Sequence, residues 1–523
     1  MIFSTIDIIV FTLYGVVIIG LGLFVSRQPK GVEKNSNDYF LASKSLPWWA
    51  VGASLIAANI SAEQFIGMSG SGFKIGLGIA AYEWMAALTL VLVALFFLPI
   101  YLKKGVFTMP QFLEQRFDKR VKVVMAIFWL AVFIFINLTS ILYLGALAVH
   151  NMFGISLFWS VIFLALFAMA YSIYGGLKAV AWTDVVQVFF LVVGGFVVTW
   201  VSLSKLGGGS FLAGFQDLLS QAPEKFDLIL DKSNPSYIDL PGIGVLIGGL
   251  WVANLYYWGC NQYIIQRALA AKNIHEAQKG LIFAGFLKLL LPLIVVIPGI
   301  AAFLLAQKGM ITIDKPDNAY PVLLSMIPQG IRGLAFAALV AAILSSLASM
   351  MNSISTIFTM DIYKTYITKN ASEKKLVNVG RITAVVAMLV AVVIAPLLSN
   401  LDQAFQYIQE FTGFISPGAL AIFLTGFFYK KATANGALAS ALGTFVFSGL
   451  FKFLIPNMPF LDRMGYVFLI CLFVIWLFAK IENKPESDKV IQLDREMFKT
   501  SKGFKWGAAI IVVILIVLYA IWW

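Results

Sequence analysis

The chain has 523 residues, of which 60% are hydrophobic and only 12% are charged. A soluble domain is usually about half apolar and about a quarter charged, so this composition predicts a polytopic membrane protein and argues against a soluble domain. The formal net charge of +12 suggests nucleic acid as a partner, an interpretation that depends on where the basic residues lie.

Fourteen apolar segments are long enough to cross a bilayer, which takes about 20 residues each. In chain order the predicted spans are 6–25, 47–70, 77–101, 123–149, 155–173, 180–204, 241–266, 278–305, 333–360, 379–398, 404–428, 434–455, 464–480 and 505–523. The first is predicted to be a retained helix, because no basic region precedes it and no cleavage pattern follows it. The connecting loops are too short for cores of their own, so residues 1–523 are predicted to form a single membrane domain.

The basic residues are divided unevenly between the two sets of predicted loops. With the N-terminus outside, 28 of the 38 Lys and Arg residues fall in inward loops, nine in outward loops and one, Lys288, within a span. Cytoplasmic loops are enriched in Lys and Arg, so this asymmetry supports fourteen spans with both termini outside the cytoplasm. Topology thereby explains the net charge, and nucleic acid is excluded as a partner.

Two predicted spans, 47–70 and 241–266, are interrupted by polar residues and glycines. Such backbone is tolerated in a membrane where it lines a cavity, although close helix packing is an alternative explanation. The two segments are five spans apart, which predicts a 5+5 inverted repeat with a binding site near the bilayer midplane. The expected parts are a leading helix at 6–25, a first repeat at 47–204, a second repeat at 241–428 and three trailing helices at 434–523.

Four ionisable residues stand out inside predicted spans: Glu83, Asp184, Lys288 and Glu410. Ionisable groups are costly in lipid and therefore indicate function. Glu83 and Lys288 are interpreted either as an ion pair that ties two helices together or as ligands of a polyhydroxyl solute, whose hydroxyls both donate and accept hydrogen bonds. The amides expected to complete such a site are those of Gln64, Asn254 and Gln409.

Two further spans carry polar residues at helical spacing. In the eleventh, Phe405, Gln409 and Thr412 fall at i, i+4 and i+7 and so share one face. In the ninth, a stripe of small residues indicates either close helix packing or a site for a hard cation, where hydroxyls join free carbonyls of the broken second span. That stripe comprises Ala342, Ser345, Ser346, Ser349 and Ser353.

Three motifs resemble the sodium/solute symporter family: SLIAANISAEQFIGMSG at 54–70, VANLYYWG at 252–259 and LSSLASM at 344–350. Matching stretches at 174–184 and 404–410 extend the resemblance over essentially the whole chain. Within the family, the similarity is greatest to bacterial sodium/galactose symporters and more distant to animal sodium/glucose cotransporters. The resemblance implies an all-α LeuT-like fold and the sodium-driven import of galactose or glucose across the bacterial inner membrane.

The resemblance also implies roles for individual residues. Sugar ligands would be Gln64, Glu83, Asn254, Lys288 and Gln409. Gates would be Met68, Tyr82, Tyr257, Trp258 and Phe405. Sodium ligands would be the carbonyls of Ala57, Ile60 and Ala342 and the hydroxyls of Ser345 and Ser346. Asp184 is expected at a second sodium site or on the sodium exit path, with a structural helix cap as the alternative. Ala86 replaces a serine of the galactose symporters, which leaves the preferred hexose open.

Other functions fit the sequence less well. A channel would not need a carboxylate and an ammonium at a closed midplane site. A membrane-embedded enzyme would need a nucleophile with a base, and neither His150 nor His275 is placed for that role. Sodium is the expected coupling ion, with no organic cofactor. The alternative that stays open is a sodium symporter for another polar solute, such as inositol or sialic acid.

Overall fold

The computed structural model describes residues 4–25, 27, 35–400 and 404–523, and these form helices joined by loops. Within those ranges the β contacts amount to a single bridge between Leu46 and Ala271. The surroundings of the motif residues Tyr174 and Ala404, and all of Lys30 and Lys34, lie outside the described part of the chain.

Fourteen helical segments, α1 to α14, follow the predicted spans in order. Their bounds are α1 Thr5–Val25, α2 48–74, α3 Leu77–Lys104, α4 Lys119–Phe153, α5 Leu157–Ala170, α6 Gly176–Leu206, α7 249–269, α8 Ile274–Gln307, α9 Ile331–Ile367, α10 Glu373–Ser399, α11 Phe405–Thr412 with Ser416–Phe428, α12 Ala434–Leu454, α13 Phe460–Glu482 and α14 Lys502–Ile521. The loops contain the shorter helices Ser36–Leu41, Met109–Arg116, Phe211–Gln221 and Ala319–Ser325.

Ten of the described helices are long and apolar enough to cross a membrane, and the bent pair of α11 raises the number to eleven. The remaining three segments are α2 and α7, which are interrupted, and α5, which is short. A left-handed glycine, Gly176 with φ 63°, separates α5 from α6. The all-helical membrane architecture is therefore confirmed, whereas fourteen spans stay a prediction.

The segments α2 and α7 are interrupted, as the sequence predicts. In α2 the α-helix ends at Asn59, Ile60 is extended with ψ 103°, and a π-helical turn follows at Glu63–Met68. In α7 a π-helical turn is followed by Asn261, which is also extended. Within the predicted span 241–266, the non-helical Gly248 separates α7 from the short helix Gly244–Ile247 before it.

The centre of the bundle is formed by α8 and α9. In their most apolar 18-residue stretches, 94% of α9 and 78% of α8 are buried, compared with 22% of α1 and α14. The helix α9 packs along α5 and α6, and α8 packs along α2 and α3. A Cβ atom on Gly52 would lie 2.6 Å from the Gly280 carbonyl, so α2 and α8 approach each other backbone to backbone.

Five basic residues assigned to loops from the sequence are buried. They are Arg116, Lys122, Arg267, Arg332 and Arg463. A buried charge needs compensating partners, and the partners belong to other elements: Lys122 lies 2.8 Å from a carboxylate oxygen of Glu114, and Arg332 lies 2.9 Å from Asp7 on α1. Arg116 ends the loop helix Met109–Arg116, and the other four lie within α4, α7, α9 and α13. Their burial could not be predicted, because a sequence window does not include distant partners.

Candidate functional site

A cavity of about 560 Å³, measured with its opening, lies beside the breaks in α2 and α7. Its wall brings together residues from α2, α3, α7, α8 and α11. Among them are all five residues predicted as solute ligands: Gln64, Glu83, Asn254, Lys288 and Gln409.

The most polar part of the wall surrounds Lys288 on α8. Its ammonium group donates hydrogen bonds to the carboxylate of Glu83 and to the amide oxygen of Asn59, and it lies 5.0 Å from the centre of the Trp258 ring. Lys288 is 1% exposed and Glu83 is 3% exposed. The ion pair considered from the sequence is therefore present, and it also faces the cavity.

The amides of the wall have unused hydrogen-bonding capacity. Gln64 accepts a hydrogen bond from the Ser61 backbone N–H at 3.0 Å, which leaves its NH2 group without a protein partner among the described residues. Asn254 donates to the Leu250 carbonyl at 3.2 Å, which leaves its oxygen available. Groups of both kinds suit a solute whose hydroxyls donate and accept.

Aromatic side chains cover this polar wall. The rings of Tyr82 and Phe405 meet edge to face, with centroids 5.3 Å apart. The Tyr257 hydroxyl accepts a hydrogen bond from the Asn59 amide at 3.1 Å, and its ring lies 5.2 Å from that of Trp258. All four line the cavity, whereas Met68, the fifth predicted gate, is fully buried and does not.

The structure also locates polar residues that were not predicted as ligands. Asn59, at the end of the first part of α2, contacts both Lys288 and Tyr257, and Glu63 and Thr412 line the cavity. The sequence signal for Asn59 was its place in the polar interruption of an apolar span. Glu410, by contrast, pairs outside this wall with Arg463 at 2.8 Å.

The predicted cation ligands lie where the break in α2 faces α9. The Ser346 hydroxyl donates to the Ala58 carbonyl at 2.8 Å, and the Ser345 hydroxyl donates to Asp184. Ser345, Ser346 and the three predicted carbonyl donors, Ala57, Ile60 and Ala342, are all fully buried. A hydroxyl that donates in this way keeps its lone pairs for a cation.

The break in α2 links the two predicted sites. In a continuous helix the Ser61 N–H would donate to the Ala57 carbonyl. Here it donates to the side chain of Gln64 instead. The Ala57 carbonyl, a predicted sodium ligand, is thereby released from its helical partner by a residue predicted to bind the solute.

Asp184 on α6 is the centre of a second buried network. Its carboxylate accepts hydrogen bonds from Ser54 on α2 at 2.5 Å and from Ser345 on α9. The guanidinium of Arg267 on α7 lies 3.9 Å away and donates to the Tyr263 carbonyl at 2.6 Å. These partners belong to other helices, so the alternative of a simple cap for the Asp184 helix has no support in the geometry.

Sequence comparisons place the chain among transporters. The family model described as the sodium:solute symporter family matches residues 39–443. The chain is 55% identical to a sodium/glucose cotransporter of Vibrio parahaemolyticus over 99% of its own length and 98% of that relative. It is 34% identical to the human sodium/myo-inositol cotransporter, covering 85% of this chain and 66% of the relative. It is also 34% identical to the sheep sodium/glucose cotransporter 1, over 82% of this chain and 69% of that relative.

Solved structures with the same architecture include a sodium-coupled sialic acid symporter in a substrate-bound, outward-open state. It matches with a TM-score of 0.81 and 23% identity, over 91% of this chain and 98% of that one. Mhp1, a nucleobase-cation-symport-1 family transporter, matches with a TM-score of 0.53 and 13% identity, over 91% of this chain and 99% of that one. These likenesses establish the LeuT-like fold.

Proposed function

Because the chain belongs to the sodium:solute symporter family, whose members are transporters and not enzymes, we propose that it imports a hexose, galactose or glucose, together with sodium. We place it in the bacterial inner membrane, with both termini outside the cytoplasm. The observation that carries this proposal is the convergence of four amides, two carboxylates and one ammonium on a single cavity covered by aromatic rings.

A neutral polyhydroxyl solute fits this wall. The amides of Gln64, Asn254 and Gln409 can both donate hydrogen bonds to hexose hydroxyls and accept hydrogen bonds from them. The C–H face of the sugar ring packs well against aromatic faces, which Tyr257 and Phe405 provide on the wall. The 55% identity to a sodium/glucose cotransporter along the full chain supports the same solute class.

Similar proteins support two alternative solutes, inositol and sialic acid. Inositol is also a neutral polyol, and the human relative is a sodium/myo-inositol cotransporter. Sialic acid carries a carboxylate, and a sialic acid symporter shares the fold. The cation that would pair with a carboxylate, Lys288, already has Glu83 as its partner, which favours a neutral solute.

Transport is proposed to follow alternating access. Sodium binds between the α2 break and Ser345 and Ser346 and favours the outward-open state, the solute then binds in the cavity, and the two repeats move to open the inner side. Sodium drives the cycle only if it binds the two states with different affinity. One sodium ion crossing about 100 mV with a tenfold gradient releases about 3.7 kcal/mol, enough for several-hundred-fold accumulation of a neutral solute.

Competition for uptake distinguishes these solutes. Proteoliposomes with an inward sodium gradient would take up labelled galactose, and unlabelled glucose, myo-inositol or sialic acid would be added in excess. We expect the hexoses to compete and the acid not to compete. If sialic acid or myo-inositol competed better than glucose, or if galactose were not taken up, the proposed solute would be wrong, while membership of the symporter family would stand.

A further inference from the structure

A second cavity, of about 590 Å³ with its opening, shares no residue with the solute cavity. It lies among the end of α11, the start of α12 and the end of α13. Its wall contains one acidic residue, Glu482, and five basic residues. The basic residues are Arg116, Arg120, Lys430, Lys431 and Lys484. We call this cavity the basic pocket.

Only two of these five cations are paired with carboxylates among the described residues. Arg120 lies 2.7 Å from Asp118, and Lys484 lies 2.5 Å from Glu482. In the described part of the chain, neither Lys430 nor Lys431 forms an ion pair, and both are exposed. The pocket therefore has an excess of positive charge that its own carboxylate does not neutralise.

Arg116 adds a buried positive charge to this wall. The residue is 2% exposed, and its guanidinium donates to backbone carbonyls only, including those of Gly426 at 2.8 Å and Tyr429 at 3.0 Å. Burial lowers the pKa of Arg116 to about 10, so it stays charged near neutral pH. These bonds also fix the loop that presents Lys430 and Lys431.

The start of α12 adds to the positive electrostatic potential of the basic pocket. Its N-cap Thr433 accepts the Gly436 N–H through its side chain at 3.2 Å, whereas Ala434 and Asn435 present the first turn of the helix to the pocket. The N-terminal turn of a helix is electropositive and has free N–H donors. Together with the cationic side chains, it forms a concave site suited to a compact anion.

We propose that the basic pocket binds a phosphate group, supplied either by the head group of an anionic phospholipid or by a soluble phosphate. Lysine and arginine side chains and a helix N-terminus are the groups that bind phosphate in proteins. Two exposed apolar residues lie within two positions of charged pocket residues in the sequence, Phe428 at 47% and Ile481 at 71% exposure. Apolar surface beside a basic pocket favours the lipid, since acyl chains accompany its head group.

The first arm of the test measures lipid binding to the full-length protein. The dissociation constant of phosphatidylglycerol from delipidated, detergent-purified protein would be determined by native mass spectrometry, with phosphatidylcholine for comparison. The variant Lys430→Gln with Lys431→Gln removes the two exposed charges that have no carboxylate partner and should weaken phosphatidylglycerol binding about thirtyfold. Lys430→Arg with Lys431→Arg keeps both charges and should retain binding.

The matched control is Lys502→Gln with Lys505→Gln, which removes two exposed lysines at the start of α14, outside the basic pocket. The control should bind phosphatidylglycerol like the wild type.

The second arm titrates inorganic phosphate and follows thermal stability. Phosphate could stabilise the wild type but not the Gln variant while the wild type binds phosphatidylglycerol no more tightly than phosphatidylcholine. The natural ligand would then be a soluble phosphate and not a lipid. If the Gln variant matches the wild type in both arms, the proposal is overturned.

Discussion

At the scale of single residues, the pairing of Lys288 with Glu83 raises the clearest question about function. Both side chains are buried, and two buried charges gain little stability beyond a pair of apolar residues. Removing one partner is nevertheless costly, since it leaves the other charge uncompensated. The pair leaves the cavity without a net charge from these two residues and offers donors and acceptors to a neutral solute.

The two interpretations of this pair predict different results for a double variant. Glu83→Gln alone should destabilise the protein by about 3 kcal/mol, because Lys288 is left unpaired, and should abolish sodium-dependent uptake. Adding Lys288→Met should restore the thermal midpoint but not the uptake. Recovery of both properties in the double variant would show that the pair only ties α3 to α8.

A second prediction at this scale concerns the cation site. Ser346→Ala removes a hydroxyl that lies 2.8 Å from the Ala58 carbonyl and should raise the sodium concentration for half-maximal uptake about tenfold or more. Ser353→Ala is the matched control, because Ser353 is equally buried on the same helix but bonds to Gln266. Equal sodium dependence in the two variants would contradict the assignment.

Which residues the sequence could predict depends on where their partners lie. Gln64, Glu83 and Gln409 were placed by local motifs, and the cavity wall includes all three. Arg267 was assigned to a loop because it follows a predicted span, yet it is fully buried beside Asp184. That contact joins α6 to α7 and depends on tertiary packing, which a local charge pattern does not predict.

At the scale of elements, the two broken helices were predictable because polar residues and glycines in mid-span are rarely tolerated facing lipid. The position of the break in α2 was not predictable, since it depends on the side chain of Gln64 accepting the Ser61 N–H. The observed end of α9 also differs from the prediction: the helix extends to Ile367 through a π-helical stretch, beyond the predicted end at 360. No periodic pattern in the sequence indicates that extension.

Close contact between α2 and α11 gives a prediction at this scale. A Cβ atom on Gly67 would lie 2.9 Å from the Cβ of Phe405, closer than such atoms approach without a shift. Gly67→Ala should therefore displace the aromatic cover and raise the hexose concentration for half-maximal uptake several-fold. In Gly20→Ala, where nothing lies within 4 Å, uptake should be unchanged and α1 slightly more stable. Similar uptake kinetics in both variants would contradict this role for the Gly67 contact.

At the scale of the whole molecule, the charge asymmetry of the loops predicts the orientation in the membrane. Both native cysteines, Cys260 and Cys471, are buried, so a single introduced cysteine reports on its own side. We expect Ser233→Cys to react with a membrane-impermeant maleimide from outside intact cells and Ser487→Cys to react only after the membrane is opened. The reverse pattern would invert the topology, and labelling of both from outside would disprove the number of spans between them.

The central claim is that the chain moves a hexose with sodium through the cavity beside the breaks in α2 and α7. The most direct measurement is the uptake of labelled galactose and glucose into proteoliposomes, with and without an inward sodium gradient. It would compare the wild type, Gln64→Ala and Gln216→Ala, an exposed glutamine outside the cavity. We predict saturable, sodium-dependent uptake that Gln64→Ala abolishes and Gln216→Ala preserves. Uptake that ignored the sodium gradient, or that survived in Gln64→Ala, would contradict the account.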